Sequence, residues 1–577
     1  MKRAFWLLAL LAIGLCAFVV RCWNLSDVFI GHRIYFIDPD CYSRMTRAAR
    51  VAEGSALIIR QHDFENWPDG IRTHTTAPLD WIIVAGKWIA DCGLRIADPD
   101  KTSVLQTQSL DLSGALISPL LGALTCAWLA AWGWSSARHS SLVARHLFLA
   151  APLLFIISPI AVHGTVLGRP DHQSLMIFLL AIAIGAEVRL MQTVREWESA
   201  AQLPSRHIAQ WSLIAGASGG LAMWVSLYEP LVLFGVVVVL VLLLDREQFR
   251  WRERWWGWAL ALAIFAVSLL IDGWRFTLPG KLARDYFINW SRSIGELGHL
   301  NVAGIWPWFG WAAALAPVTL AVVVWMKARQ PFAPGKTGAH PAYRPAAFLL
   351  GLLLVTFGLT CWQLRWGYFC VLVFSMSLPW QLAALRRWWI AWPAFLISLY
   401  PIADDWDVNL FPDGEHRADE RTSRAERRAM RRTENVALRE IVAPLRDAPG
   451  GFIAPWWQSP AIAYWTRSFG VAGSSHESLP GIVETARFYL AEQFDDAAQI
   501  LKKRRVSWVL ADETTRTVGT SAALLGVEAP SNPIAEVLAE HPQDAPPFLR
   551  AWTGSTELAP GTVFYRLYQV DAAKLPP

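Results

Sequence analysis

Long apolar runs, separated by short polar connections, occupy the chain up to about residue 402. The first run, residues 4–20, follows Lys2 and Arg3 and lacks a small-x-small cleavage site, so it predicts a retained helix that starts in the cytoplasm. Several later runs are shorter than the roughly 20 residues of a full crossing, so their boundaries are soft and the total is about 11. The later runs cover residues 113–134, 146–162, 174–188, 209–225, 230–244, 256–272, 306–326, 346–361, 366–384 and 388–402.

Basic residues collect in alternate connections between these runs, as the positive-inside rule requires of cytoplasmic loops. An odd number of spans then places the carboxyl-terminal region outside, together with outer loops 21–112, 163–173 and 273–305. The pattern predicts a multi-pass protein of the cell inner membrane. The basic residues in question are Arg138, Arg145, Arg189, Arg195, Arg206, Arg246, Arg250, Arg252, Arg254, Lys327, Arg329, Lys336, Arg344, Arg386 and Arg387.

The pattern changes after residue 402. Residues 403–440 include a stretch rich in Arg, Glu and Ala, which predicts a solvated linker helix, with binding of anionic lipid or carrier phosphate as the alternative. Residues 441–577 alternate short β-rich runs with helical stretches, which predicts an extracytoplasmic α/β domain of ~130 residues. Strands are expected at 451–455, 506–511 and 563–570, and helices at 482–492 and 495–503.

Composition supports membrane residence and excludes one class of partner. The chain is 54% hydrophobic and 17% charged, and many of its 33 Trp lie at the ends of apolar runs, where indole prefers the headgroup region. The net charge of +5 is spread over short loops, so no nucleic-acid partner is expected. The seven Cys lack metal-type spacing; a Cys41–Cys92 bridge and unpaired thiols are both compatible with their positions.

Acidic residues cluster on the predicted outer side, at the mouths of helices. Asp38 and Asp40 follow the first span, Asp171 lies in the second outer loop, and Glu296 lies in a longer one. Ionisable residues near hydrocarbon are costly, so several on one side indicate a functional site. Converging carboxylates need a cation, and oxygen ligands suit Mg²⁺ or Mn²⁺. Taken singly, each acid is better explained as a turn residue or an ordinary loop residue than as part of a site.

Two further features carry chemistry. Arg365 lies between two apolar runs in a predicted outer connection, where it could hold a phosphate oxygen or snorkel at a helix end. Trp456 and Trp457 follow the first predicted strand of the tail, where they could form a recognition platform or pack the tail onto the membrane part. Glu229, in a short outer connection, is expected to be structural.

Taken in chain order, these segments resemble the catalytic subunit of oligosaccharyltransferase, over residues from about 35 to 511. That family has an outer Asp-Pro segment with an Arg six residues after the Asp, a second acidic motif, a Ser/Thr-Val/Ile-x-Glu motif, a late Arg and a Trp-Trp-Asp-Tyr-Gly motif. The corresponding residues here are Asp38, Pro39 and Arg44; Asp171, His172 and Gln173; Ser293, Ile294, Gly295 and Glu296; Arg365; and Trp456 and Trp457.

The resemblance implies a membrane all-α fold of the GT-C type, with about 11 to 13 transmembrane helices in residues 1–402, followed by the smaller soluble α/β domain. It implies inverting, metal-dependent transfer of a glycan from a polyprenyl-(pyro)phosphate carrier to a protein acceptor, at a site facing outward. By the same resemblance, Mg²⁺ or Mn²⁺ is held by Asp38, Asp171, Glu296 and Gln173, and the carrier phosphate by Arg365. Acceptor binding falls to Trp456, Trp457, Gln458 and Glu296.

Two departures from the family pattern bear on the acceptor and the metal. Gln458 stands where the family has Asp, so its hydrogen bond to an acceptor hydroxyl lacks charge and is weaker. Gln173 replaces an acidic or His metal ligand, a role that Asp40 or His172 could take instead. Asparagine is therefore one candidate acceptor, and a lipid, a glycan or a differently defined peptide is the alternative. A transporter or an inactive binding relative is the third reading, and a transporter would carry internal repeats and ionisable groups near the bilayer midplane, which the sequence does not show.

Overall fold

The computed structural model describes residues 2–97, 102–136, 147–197, 205–274, 281–328, 343–385, 387–446, 448–552, 556–559 and 562–576. Five of the basic residues used for the topology prediction lie outside these ranges: Arg138, Arg145, Arg329, Lys336 and Arg386. Two compact units are present, each built from three separate segments of the chain. The first unit contains Met1–Leu25, Leu116–Ile271 and Glu296–Thr422, and the second contains Ser26–Ala115, Asp272–Gly295 and Ser423–Pro577.

The first unit is helical. Its helices are Lys2–Arg21, Ala150–Ile157, Pro159–His163, His172–Trp197, Ser205–Val225, Tyr228–Asp245, Arg252–Asp272, Ile305–Phe309, Ala312–Ala328, Arg344–Trp362, Gly367–Ala383, Trp388–Ser398 and Tyr400–Leu410. Helix Thr102–Ser136 and the charged helix Ala418–Ile441 each contribute residues to both units.

Within the described ranges, six segments are long and apolar enough to cross a membrane: Gln108–Ser135, His172–Gln192, Ser205–Val225, Tyr228–Arg250, Arg252–Asp272 and Arg344–Trp362. Two shorter apolar segments are Trp6–Arg21 and Ala312–Met326. Large apolar side chains on these helices are exposed, including Leu11, Leu243 and Leu270. A lipid bilayer solvates such a surface and water does not. The chain is therefore an integral membrane protein.

The apolar run at residues 146–162, expected as one span, forms two short helices instead. The first helix ends and the second begins at Ser158, whose backbone is extended (φ −61°, ψ 119°). Pro159 follows, and the residue before a proline is disfavoured in the helical region, so the helix ends there. The run at 388–402 is likewise divided between helices Trp388–Ser398 and Tyr400–Leu410.

Among the described residues, the second unit contains two two-stranded sheets and one six-stranded sheet. Strands β1 (Phe29–Ile30) and β2 (Arg33–Ile34) pair, as do β3 (Gln61–His62) and β4 (Ile71–Arg72). The largest sheet has the order β6-β5-β7-β10-β8, with β9 paired to β10. Its strands are β5 (Gly451–Ile453), β6 (Phe469–Gly470), β7 (Val506–Ala511), β8 (Leu549–Ala551), β9 (Thr556–Ala559) and β10 (Thr562–Val570).

Helices cover this sheet, and their apolar faces form its core. β5 pairs in parallel with β6 and β7, whereas β10 runs antiparallel to β7, β8 and β9. The core includes Ile453, Phe488, Leu501, Val509 and Leu538, all essentially inaccessible to solvent. The second unit's helices are Leu25–Val28, Pro39–Ala52, Ala77–Ala97, Lys281–Arg292, Ser459–Thr466, Leu479–Leu490, Phe494–Lys503, Thr514–Leu525 and Ile534–Glu540. The predicted strands at 451–455, 506–511 and 563–570 are therefore present, with small shifts of their ends.

Part of the first outer loop packs directly on this sheet. The Trp67 ring stacks on Phe469 at 4.6 Å between centroids, and the backbone N–H of Trp67 donates to the Gly470 carbonyl at 3.0 Å. Arg504 donates to the Trp67 carbonyl at 3.0 Å and pairs with Asp69 at 3.1 Å. The loop and the tail are thus one folded unit despite their separation in sequence. Cys41 and Cys92, both in described segments, are not joined by a disulfide.

Candidate active site

The segment before helix His172–Trp197 carries two buried charged residues, Arg169 and Asp171. The backbone N–H of His172 donates to Oδ1 of Asp171 at 2.6 Å, so this carboxylate lies at the positive end of the helix dipole. The Ser118 hydroxyl donates to the Arg169 carbonyl oxygen and holds the segment against the neighbouring helix. These contacts fix the acidic motif at one end of the helix.

Glu296 lies in the short 3₁₀ turn Gly295–Leu297 and is held by three donors. Arg169 pairs with its Oε1, and the Tyr368 hydroxyl donates to the same oxygen at 2.9 Å. The Gln173 amide donates to Oε2 at 3.2 Å. The second and third predicted acidic motifs therefore meet through Gln173 and Glu296 in the first unit.

The chain after Glu296 packs against the turn that carries Arg365. The backbone N–H of Leu364 donates to the Gly298 carbonyl at 2.9 Å, which joins the two segments. Arg365 lies in the 3₁₀ turn Leu364–Trp366, between two apolar helices. The backbone hydrogen bond between Leu364 and Gly298 therefore holds the Arg365 turn beside the Glu296 segment.

Arg365 forms an ion pair with Glu229. Glu229 is 1% exposed and lies in the first turn of helix Tyr228–Asp245, where the Ser226 hydroxyl donates to its Oε2 at 2.8 Å. The side chain of Arg365 remains 24% exposed, so part of its guanidinium can reach a ligand. Glu229, expected to be only structural, is thus the residue that orients the predicted phosphate-binding arginine.

The electrostatics of this cluster favour charged side chains. Burial, the largest single effect, would raise the pKa of the Glu296 carboxyl, but the charges of Arg169, Arg365 and His163 together hold that pKa below its usual range. Burial lowers the pKa of Arg365, but Glu229 and then Glu296 outweigh burial and raise it. Three carboxylates and two guanidiniums in the cluster, with Asp171 included, leave one negative charge in excess. A cationic ligand is therefore favoured there.

Asp38 belongs to the second unit, where it caps helix Pro39–Ala52. Its Oδ1 accepts from the backbone N–H of Cys41 at 3.0 Å, and its side chain remains partly exposed. Arg44, from the same motif, is buried and donates to Asp80 at 2.9 Å. The arginine of this motif therefore has a structural ion pair, whereas the Asp38 carboxylate faces a partly open environment.

Trp456 and Trp457 follow β5, and each ring has a neighbour in the second unit. The Trp456 ring packs edge-on against Trp290 at 5.9 Å, and the Arg516 guanidinium lies 4.8 Å from the centroid of the Trp457 ring. Gln458 is buried, and its amide donates to Oδ2 of Asp512 at 2.9 Å. A carboxylate therefore lies beside the position where the family motif has its own Asp.

A small pocket borders the two tryptophans and helices Leu479–Leu490 and Thr514–Leu525. Three polar atoms of its walls are buried without a hydrogen-bond partner among the described residues: Thr485 Oγ1, Thr517 Oγ1 and Trp457 Nε1. The Oε1 atom of the adjacent Gln458 is also buried without a hydrogen-bond partner among the described residues. Buried polar groups normally have partners, so this concentration indicates a site for a polar ligand.

Three of the four predicted metal ligands, Asp171, Gln173 and Glu296, lie in the first unit. Gln173 directs its amide nitrogen at Glu296, and its Oε1 is buried without a hydrogen-bond partner among the described residues. Asp171 and Glu296 supply carboxylate oxygens, and both lie beside Arg169. Oxygen donors of this kind suit Mg²⁺ or Mn²⁺.

Sequence reasoning missed Arg169 and Tyr368 of the first unit and Asp512 of the second. Arg169 carries no signal beyond its nearness to Asp171, and Tyr368 lies inside an apolar run that predicts nothing but a helix. Asp512 lies at the end of β7, 54 residues after Gln458. The one available signal was Glu229, an acid near hydrocarbon that required a cationic partner.

No protein-family model and no curated protein matches this sequence. Solved structures do match it in fold. The archaeal oligosaccharyltransferase AglB from Archaeoglobus fulgidus, in complex with an inhibitory peptide and a dolichol-phosphate, is 14% identical with a TM-score of 0.61, over 100% of this chain and 75% of that one. The same organism's enzyme in complex with Zn and sulfate is 16% identical with a TM-score of 0.60, over 98% and 73%.

A second protein has a similar fold. ArnT from Cupriavidus metallidurans, bound to undecaprenyl phosphate, is 13% identical with a TM-score of 0.54, over 99% of both chains. Both neighbours are GT-C glycosyltransferases, so the predicted GT-C fold is confirmed. The chain thus shares its fold with AglB and ArnT.

Proposed function

We propose that the chain is an oligosaccharyltransferase-like membrane enzyme. It transfers a glycan from a polyprenyl-(pyro)phosphate carrier to a protein acceptor, with asparagine as one candidate residue, on the extracytoplasmic side. The observation that carries the proposal is the cluster of Arg169, Asp171, Gln173 and Glu296 beside the Arg365 turn, in a fold shared with structures that hold dolichol-phosphate or undecaprenyl phosphate.

Binding of the carrier phosphate falls to Arg365. A guanidinium makes paired, charge-assisted hydrogen bonds to phosphate oxygens, and Glu229 holds this one in a fixed direction. Asp38, Asp171, Glu296 and Gln173 are proposed to hold Mg²⁺ or Mn²⁺. A divalent cation so held supplies Lewis-acid stabilisation of the departing (pyro)phosphate.

The reaction is an inverting displacement at the anomeric carbon. The acceptor atom forms a bond to that carbon on the face opposite the carrier and gives up its proton to water. The carbon–oxygen bond to the (pyro)phosphate breaks, and its electron pair leaves with the phosphate. Glu296 accepts hydrogen bonds from the acceptor and so orients it for attack. Arg365 donates to the leaving oxygens, where negative charge develops, and electrostatic stabilisation of this kind is a large catalytic term.

The acceptor site is proposed to be the pocket beside Trp456 and Trp457. Its unpartnered hydroxyl and indole groups suit a polar peptide side chain, and Asp512 places a carboxylate behind Gln458. A non-sequon acceptor, such as a lipid, a glycan or another peptide, is the second candidate. It is favoured by Gln458 itself, since the amide that replaces the family's acid is already engaged with Asp512.

Glycopeptide mass spectrometry of cells with and without the gene separates the two candidates. Loss of glycans from Asn-x-Ser/Thr sites is the result expected for a protein acceptor. Unchanged protein glycans, with an altered glycolipid or polysaccharide, would instead establish the second candidate. A strain that carries the Glu296→Ala variant is the matched control, because it separates loss of transfer from loss of the whole protein.

A further inference from the structure

A second cluster of metal-ligating side chains lies in the second unit and contains none of the residues assigned above. His74 follows β4 in the first outer loop, and His476 and Glu477 open the 3₁₀ turn His476–Ser478 before helix Leu479–Leu490. The fold brings these side chains together although 403 residues separate His74 from Glu477. None of the roles proposed for catalysis uses them.

The geometry of this cluster is compact. Nδ1 of His74 lies 2.8 Å from Oε1 of Glu477, and Nε2 of His476 lies 3.3 Å from the same oxygen. One ligand atom from each residue can be chosen so that all three lie within 4.8 Å of one another. Ligand atoms about 2.0–2.1 Å from a tetrahedral zinc ion lie roughly 3.4 Å apart, so only small side-chain adjustments would be needed.

The surroundings hold the three groups in place and leave an entry path. The Glu477 side chain is 6% exposed, whereas His74 is 45% and His476 28% exposed. The carboxylate is therefore buried beneath two imidazoles that solvent can reach. The backbone N–H of His74 donates to Oε1 of Glu477 at 3.1 Å, and Phe287 lies edge-on to the His476 ring at 6.2 Å. Water can therefore reach the two imidazoles and occupy a remaining coordination position on a bound ion.

Charge considerations favour a cation between these groups. The imidazole rings stack at 4.9 Å between centroids, so two protonated rings would repel each other while sharing one carboxylate. A neutral ring protonated on the facing nitrogen donates to that carboxylate, and the other tautomer presents a lone pair that can bind a metal.

We propose that His74, His476 and Glu477 bind one divalent transition-metal ion of the zinc class, with water at the remaining position. Two imidazoles and one carboxylate form a nitrogen-containing donor set that suits Zn²⁺ better than Mg²⁺. The ion tethers the first outer loop to the turn before helix Leu479–Leu490. It is a structural site, separate from the oxygen-rich set proposed for catalysis.

The test uses the full-length protein purified in detergent and stripped of metal with a chelator. All variants carry Asp171→Asn, which weakens the proposed catalytic metal site and so isolates the second one. Titration with ZnCl₂, followed by elemental analysis after gel filtration, should retain one zinc per chain. Glu477→Gln and, separately, His74→Ala should each lower the affinity at least tenfold.

The matched controls are Glu540→Gln and His541→Ala, which alter an exposed cluster of the same residue types formed with Glu536. These controls should keep the bound zinc. Zinc should also raise the melting temperature of the parent protein by about 3 °C and leave that of Glu477→Gln unchanged. Metal-free melting temperatures of all variants report folding independently of metal.

Three results would overturn the proposal: no zinc retained by the parent protein, equal retention by the Glu477→Gln and His74→Ala variants, or loss of zinc only in the Glu540→Gln and His541→Ala controls. Because the readouts are metal content and thermal stability, failure here leaves the proposed transferase function unaffected. Conversely, absence of transferase activity would not change the expected zinc content.

Discussion

Gln173 donates its amide hydrogen to Oε2 of Glu296 at 3.2 Å and leaves its own Oε1 buried without a hydrogen-bond partner among the described residues. One amide thus connects two acidic motifs that are 123 residues apart and presents an additional oxygen beside them. A neutral amide in this position neither adds to the negative charge nor competes for a proton, so it can serve as a weak metal ligand.

Replacing Gln173 should therefore weaken metal binding when the new side chain lacks an oxygen and strengthen it when the new side chain is a carboxylate. Gln173→Leu removes the oxygen and should raise the Mn²⁺ concentration for half-maximal activity by about tenfold, whereas Gln173→Asp should lower it because a charge is added. Titration of transferase activity with MnCl₂ measures both. Gln543→Leu, at an exposed position, is the control. Identical Mn²⁺ dependence in all four proteins would remove Gln173 from the site.

The Arg365–Glu229 pair should show coupled effects on stability. Arg365→Met leaves the Glu229 carboxylate buried without its partner, which should lower the free energy of unfolding by about 3–5 kcal/mol. Adding Glu229→Gln should restore most of that stability but not the affinity for the lipid-linked donor. Thermal unfolding in detergent and the KM for the donor separate the two roles. If the double variant regains donor affinity as well, Arg365 does not bind the phosphate.

Asp512 should make the stability of the protein depend on pH. Burial raises the pKa of this carboxyl to about 7. An acid whose pKa is raised by folding stabilises the fold while it is protonated, so this contribution is complete below about pH 4 and is lost as the pH rises through about 7. Asp512→Asn keeps the hydrogen bond from Gln458 and should be roughly 2 to 4 kcal/mol more stable than the parent at pH 8.

Thermal unfolding between pH 5 and pH 8 checks this expectation. The difference between the Asp512→Asn variant and the parent should shrink towards the acidic end of that range. Asp544→Asn removes an exposed carboxylate and should follow the parent at every pH. Parallel pH profiles for parent and Asp512→Asn would mean that Asp512 titrates normally in the folded protein.

The pocket beside the paired tryptophans should determine acceptor affinity. Thr517→Val and Trp457→Phe each remove one polar group that has no partner among the described residues while keeping the shape of the wall. Each should raise the KM for the acceptor about tenfold without changing the KM for the donor, as expected for one lost hydrogen bond. Trp552→Phe, an exposed tryptophan of the same unit, is the control. Unchanged acceptor KM in both variants would place the acceptor elsewhere.

The sequence could predict those parts of the cluster that carry a local signal. Apolar runs identified the membrane helices, and motif spacing identified Glu296 and Gln173, which do meet. It could not predict that Asp512 lies behind Gln458 or that Glu229 pairs with Arg365, because these contacts depend on how distant segments pack. The contact between His74 and Glu477 could not be predicted either, because the two residues are 403 positions apart and no local sequence signal links them.

Boundaries were less predictable than the existence of elements. The run at 146–162 has enough apolar residues for one helix, yet Pro159 divides it. The outer loop around Trp67 contains little regular structure of its own, so its sequence alone does not show that it packs on β6. The position of this loop is determined by its packing on β6, which lies about 400 residues later in the chain.

Transfer of glycan by the purified protein from a lipid-linked donor, with Mn²⁺ or with a chelator, tests the proposed site most directly. The parent protein should transfer glycan only with metal, and Glu296→Ala and Asp38→Ala should each reduce the rate at least 100-fold while the melting temperature shows that both remain folded. Full, metal-dependent activity in both variants would contradict the assignment of these carboxylates to the catalytic centre.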